Sequence, residues 1–264
     1  MKYIFIIYLA FSVTQSLLAQ VSTVERDIDT KGVIYNKEWM AFAQIAANGY
    51  GIGYKWGEIQ TYYKTNFYHV ELSRIFDQRE QRQNKNIALR FNSISKPFKY
   101  GKQNDVFVAR LLKGQMKYLS DRAKRKGVAV GYHYAGGGAI GLAKPYHLNL
   151  IYPNDSDGTT RFDVKSEPYS IANKDKFLNY DEIYGGSRWI DGLSRTSILP
   201  GIHGRAALYF SIGRYDKTVK NIETGIMVDI FARKIPLMVE TENVSNRPYL
   251  VNIYVNAGFG KRKF

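Results

Sequence analysis

The stretch Tyr249-Leu250-Val251-Asn252-Ile253-Tyr254-Val255-Asn256-Ala257-Gly258-Phe259-Gly260 decides the fold. Tyr249, Val251, Ile253, Val255, Ala257 and Phe259 share one parity, while Leu250, Asn252, Tyr254, Asn256, Gly258 and Gly260 share the other. Successive side chains of an extended chain point to opposite faces, so one face is apolar with aromatic ends and the other mostly polar or tiny. Strands in globular proteins are usually about 5–6 residues long, whereas a strand crossing a bilayer needs about 9–11. This run has the length of the second kind.

The pattern recurs upstream. Ile202, Gly204, Ala206, Leu208, Phe210 and Ile212 alternate with His203, Arg205, Ala207, Tyr209, Ser211 and Gly213. Ile222, Thr224, Ile226, Val228 and Ile230 alternate with Glu223, Gly225, Met227, Asp229 and Phe231. Val128, Val130, Tyr132 and Tyr134 face away from Ala129, Gly131, His133 and Ala135. Weaker runs lie near 38–56, 60–76, 103–118 and 145–152. Together these predict an all-β chain, an antiparallel transmembrane β-barrel of eight strands with long loops. Asn48-Gly49 is a hairpin dipeptide that can split the first run in two. Trp56-Gly57-Glu58, Ala143-Lys144-Pro145 and Arg214-Tyr215-Asp216-Lys217 read as short connections, and 77–102, 153–199 and 233–247 as long ones. A periplasmic β-sandwich is the soluble alternative, but it uses shorter strands and does not place aromatics at the ends of its buried stripes.

Composition narrows the class. The chain has 264 residues, formal charge +15 and no cysteine. That excludes disulfides, Cys-ligated zinc, Fe–S clusters, thiol nucleophiles and a cysteine-linked lipid anchor. A mean hydropathy of −0.33 leaves no room for a bundle of membrane helices. Lys2, an apolar run from Tyr3 to Val13 and the exit Leu17-Leu18-Ala19 make residues 1–19 a secretory signal peptide. The mature chain then begins at Gln20, with 20–37 a periplasmic N-terminal segment and 38–264 the barrel in the cell outer membrane. Export removes nucleic acid as a partner, despite the charge. The basic surplus points instead to outer-membrane lipid and lipopolysaccharide.

An eight-stranded barrel is just wide enough for side chains to fill it. The expected inward polar set is His69, Glu71, His133, His203, Arg205, Glu223, Asp229 and Arg233. Opposite charges there must pair, because an unpaired buried ion is costly, so the lumen is expected to be plugged. His69, His133, His147 and His203 lack metal-ligand spacing, so no metal or cofactor is expected. Ser73 and Ser211 share lumen-facing strands with histidines, but no nucleophile motif surrounds them. Asn154-Asp155-Ser156-Asp157-Gly158 fails as a calcium loop, because Val164 stands where a bidentate Glu belongs. Gly136-Gly137-Gly138 lies in a strand, where it admits a bulge or a close neighbour.

With both termini periplasmic, the strand count puts the basic cluster Arg122, Lys124, Arg125 and Lys126 and the 154–199 loop at the cell surface. The cluster is then an anionic-lipid site for lipopolysaccharide phosphates. The same count makes 77–102 a periplasmic docking segment. Phe259 and the terminal Phe264 resemble the C-terminal signal read by the barrel-assembly machinery, with Arg262 departing from its usual apolar pattern.

Several segments resemble one family. Tyr100-Gly101-Lys102-Gln103-Asn104, Ala47-Asn48-Gly49-Tyr50-Gly51, Lys126-Gly127-Val128-Ala129-Val130 and Leu142-Ala143-Lys144-Pro145-Tyr146 are four of them. With Ile183-Tyr184-Gly185, Lys234-Ile235-Pro236 and Phe259-Gly260-Lys261-Arg262-Lys263, they resemble a family of outer-membrane β-barrel proteins from Bacteroidota. The resemblance implies location and architecture, supplies no catalytic residues, and suggests a tie to other outer-membrane complex subunits. The expected role is a non-catalytic structural or binding subunit, an accessory of a larger outer-membrane assembly or secretion complex. The rival readings are a lipid- or peptide-modifying barrel enzyme and a narrow porin.

Overall fold

The computed structural model describes residues 35–61, 63–85, 94–119, 128–154, 161–212, 217–242 and 245–264. The signal-peptide segment, most of 20–37 and the basic cluster at 122–126 lie outside the described residues. In chain order come β1 (Lys37–Ala46), β2 (Gly49–Ile59), β3 (Lys64–Ile75), and the two-residue β4 (Arg82–Gln83) and β5 (Phe98–Lys99). β6 (Asn104–Tyr118) and β7 (Val128–Pro145) follow, then β8 (His147–Asn154), β9 (Arg161–Pro168) and β10 (Ile183–Gly186). β11 (Ser197–Ile212), β12 (Thr218–Phe231) and β13 (Tyr249–Lys263) complete the set.

Eight of these close into an antiparallel barrel, in the order β1-β13-β12-β11-β7-β6-β3-β2. The first and last strands seal it, with Ala43 opposite Ala257 and Lys37 opposite Lys263. The period-two reading of the last strand holds: Tyr249, Val251, Ile253, Val255 and Phe259 are exposed on the outer wall, while Asn252, Tyr254 and Asn256 are buried inside. Ile45, Ile52, Leu72, Leu111, Leu208 and Ile226 continue the apolar exterior. Trp39, Tyr54, Trp56 and Tyr68 stack across β1, β2 and β3 with centroids 5.8–5.9 Å apart, an aromatic belt near the end that carries the termini. An apolar outside around a charged inside inverts a water-soluble protein and matches a barrel whose solvent is lipid.

The strand count is eight, but its membership differs from expectation. The 38–56 run is two strands, joined by a two-residue turn at Ala47-Asn48. Trp56-Gly57-Glu58 is therefore no connection; it lies inside β2. Ala143-Lys144-Pro145 likewise ends β7, which runs for 18 residues. The 145–152 run leaves the barrel and builds a separate three-stranded sheet, ordered β10-β8-β9. Its Leu148 and Leu150 are buried in a small core outside the barrel, not against lipid. The two changes cancel in number but not in topology. Splitting the first run exchanges the sides of the next connections, so 77–102 shares an end with the 146–196 connection. The strands flanking the basic cluster, by contrast, end beside the termini. Gly136-Gly137-Gly138 makes no bulge, since pairing with β11 runs unbroken through it. A Cβ on Gly137 would sit 2.1 Å from the Leu111 carbonyl oxygen, so glycine there serves close backbone approach.

At the end opposite the termini, the three long connections fold together as a cap. Phe98 from the first, Leu148, Leu150, Phe177 and Ile183 from the second, and Val239 from the third share one buried core. Backbone bonds stitch the first connection to the last: Val239 N–H donates to Gly101 O at 2.9 Å and Gln103 N–H to Leu237 O at 2.9 Å. Gly101 adopts φ 66°, the left-handed turn that glycine permits there.

Candidate functional site

The lumen is filled in layers. At the cap end Ile75, Val106, Val108, Leu199 and Phe231 from the strands meet Ile235, Leu237 and Met238 from the last connection, an apolar stopper. Near the termini Met40, Phe67, Leu112, Met116 and Tyr209 form a second apolar layer. Between them lie the charges.

Arg110 is the centre of that middle layer. Its Nε and Nη2 donate to the two carboxylate oxygens of Asp229, each at 2.8 Å. Its Nη1 donates to Glu71 Oε1 at 2.5 Å. Glu71 also receives Arg205 Nη2 at 2.6 Å and Gln44 Nε2 at 3.0 Å, and lies 3.1 Å from His69 Nε2. Arg205 Nε donates to His203 Nε2 at 3.0 Å, so the network places the His203 proton on Nδ1, 2.7 Å from Asp229 Oδ1. A second cluster surrounds Glu223. Lys55 Nζ donates to it at 2.8 Å, Tyr254 OH at 2.7 Å, and His133 Nε2 lies 2.7 Å away. Nearer the termini, Arg262 meets Glu38 at 3.2 Å. Lys55, Arg110, Arg205 and Arg262 thus answer Glu38, Glu71, Glu223 and Asp229, all of them buried.

Of the inward set expected from sequence, the structure brings together His69, Glu71, His133, His203, Arg205, Glu223 and Asp229. Arg233 is the exception. β12 ends at Phe231, and Arg233 is exposed beyond it with Nη2 3.3 Å from the Ile198 carbonyl. The sequence reading missed Arg110, Lys55, Gln44 and Tyr254. Phe259 and Phe264 are exposed on the outside, with the Phe264 ring 5.2 Å from Tyr35. Arg262, the departure from an apolar terminal pattern, faces inward to its carboxylate. Ser73 is held by Arg110 and the Val108 carbonyl rather than by a histidine.

At the cap end a second ionic cluster joins barrel to cap. Lys102, fully buried, bridges Glu80 at 2.8 Å and Asp105 at 2.9 Å. Arg74 reaches Asp105 at 2.9 Å, and Lys99 pairs with Glu80. Lys144 donates to the Trp189 carbonyl at 2.9 Å.

No protein-family model and no curated protein matches this chain. Among solved structures, it is similar to the crystal structure of Neisserial surface protein A at 10% identity and TM-score 0.34, over 89% of this chain and 100% of that one. That similarity is too slight to carry a role across.

Proposed function

We propose that the chain is an outer-membrane barrel with a closed lumen, a non-catalytic subunit that holds a binding surface at the cell exterior. The carrying observation is the lumen itself, blocked by paired charges between two apolar layers. Packing of this kind among the described residues is that of a filled post rather than a channel for solute. Outer-membrane barrels keep short turns in the periplasm and long loops outside, which places the cap outward and the termini inward. The strands on either side of Arg122, Lys124, Arg125 and Lys126 end on the periplasmic side of this reading, and the cluster itself lies outside the described residues. The resemblance to Bacteroidota barrels, the tie to other outer-membrane subunits and recognition by the barrel-assembly machinery belong to the same proposal. Planar-bilayer recording tests it. The expected result is no steady open channel; a large stable conductance overturns the plug in favour of the narrow porin. Co-purification of other membrane proteins from solubilised outer membranes supports the subunit role, whereas a lone monomer hydrolysing lipid or peptide overturns it.

A further inference from the structure

Between the barrel rim and the cap lies a cleft of about 390 Å³, within the ~300–1,000 Å³ range of small-molecule sites. The barrel strands supply Arg74, Asp105 and Lys144; the first long connection supplies Arg82 and Lys99; the second supplies Arg188 and Trp189. Its charge is lopsided. Asp105 is already engaged by Lys102, Arg74 and, at 3.5 Å, Lys144, and Glu80 by Lys102 and Lys99, so five cations in and beside the cleft share two carboxylates once Arg82 is counted. Arg188 meets Asp191 at 3.3 Å with its side chain largely exposed, and Arg82 makes no ion pair among the described residues. Burial holds His147, also in the wall, below its ordinary value. The positive surplus therefore rests on arginine and lysine.

Such a surplus calls for an anion, and guanidinium forks suit phosphate oxygens. The cleft is larger than bare phosphate needs, and its remaining wall includes Tyr146, Pro97 and Trp189, flat surfaces that suit a sugar ring. Beyond Trp189 the chain leads through exposed Ile190 and Leu193 to Ile198, where the apolar outer wall of β11 begins. A cationic cleft joined by one short segment to the apolar outer wall of a strand fits an amphiphile with a phosphorylated head.

We propose that this cleft binds a phosphorylated saccharide, presented either as the head group of an outer-leaflet glycolipid or as a free sugar phosphate. The biological placement rests on the cap facing outward, but binding by the purified protein does not, so the two fail separately. The test uses the full mature chain in detergent and follows tryptophan fluorescence during titration. The probes are N-acetylglucosamine 1-phosphate, N-acetylglucosamine, inorganic phosphate, and deep-rough lipopolysaccharide with and without its phosphates. The phosphorylated probes are expected to bind at least tenfold tighter than their unphosphorylated counterparts and than inorganic phosphate. Arg82→Gln with Arg188→Gln is expected to weaken them at least tenfold while the circular dichroism spectrum stays unchanged. Tighter lipopolysaccharide binding identifies the lipid source; tighter free sugar phosphate identifies the soluble one. Equal binding with and without phosphate, equal binding of inorganic phosphate, or an undiminished double variant overturns the proposal. Single-cysteine labelling in intact cells tests the outward placement independently.

Discussion

Arg110 touches both carboxylates at the centre of the lumen, so its removal leaves Asp229 without its bidentate partner and Glu71 with one guanidinium fewer. Breaking a buried pair on one side typically costs about 3–5 kcal/mol. Arg110→Ala is expected to lose that much, read as a lower urea midpoint in detergent. Lys55 and Glu223 allow a sharper comparison. Lys55→Met alone strands a buried carboxylate, whereas Lys55→Met with Glu223→Gln leaves no charge and keeps an acceptor for Tyr254. The double variant is expected to be more stable than Lys55→Met alone; equal loss in both would show that the pair is not electrostatically coupled. Arg110 escaped the sequence reading for a physical reason. It shares its face with Val106, Val108 and Leu112, while Phe107, Ala109 and Leu111 line the opposite face. Both faces are apolar, so parity alone does not mark the inside. Arg233 misled in the opposite way: its parity points inward, but the strand has already ended.

At the scale of elements, the long clean alternations of β11, β12 and β13 were legible because their outer faces carry Ile and Val against polar or small inner residues. β2 is as regular, with Tyr50, Ile52, Tyr54 and Trp56 outside and Gly49, Gly51, Gly53, Lys55 and Gly57 inside. It was obscured by merging it with β1 across a turn of only two residues. β8 was misplaced because a strand buried on a small cap core shows the same apolar alternation as one facing lipid. The cap's independence is testable. Phe177 is fully buried in its core, and a large-to-small change there costs about 3–5 kcal/mol. Phe177→Ala is expected to open the 146–196 connection to limited proteolysis while the barrel still migrates as a folded band in unheated gel samples. Loss of the barrel band would show instead that cap and barrel fold as one unit.

At the scale of the molecule, the absence of cysteine makes single-cysteine labelling clean. Lys174, exposed in the cap, and Lys263, exposed at the other rim, are opposite reporters. Lys174→Cys is expected to react with a membrane-impermeant maleimide in intact cells, and Lys263→Cys only after the outer membrane is breached. The reverse pattern would invert the orientation. The shared cap core has one more consequence, in time rather than in space. Phe98, Phe177 and Val239 come from connections separated by most of the barrel sequence. Contacts so distant along the chain form late, because loop closure must come first. The cap is therefore finished only once the final hairpin is in place, so a barrel stalled during insertion displays no complete cap.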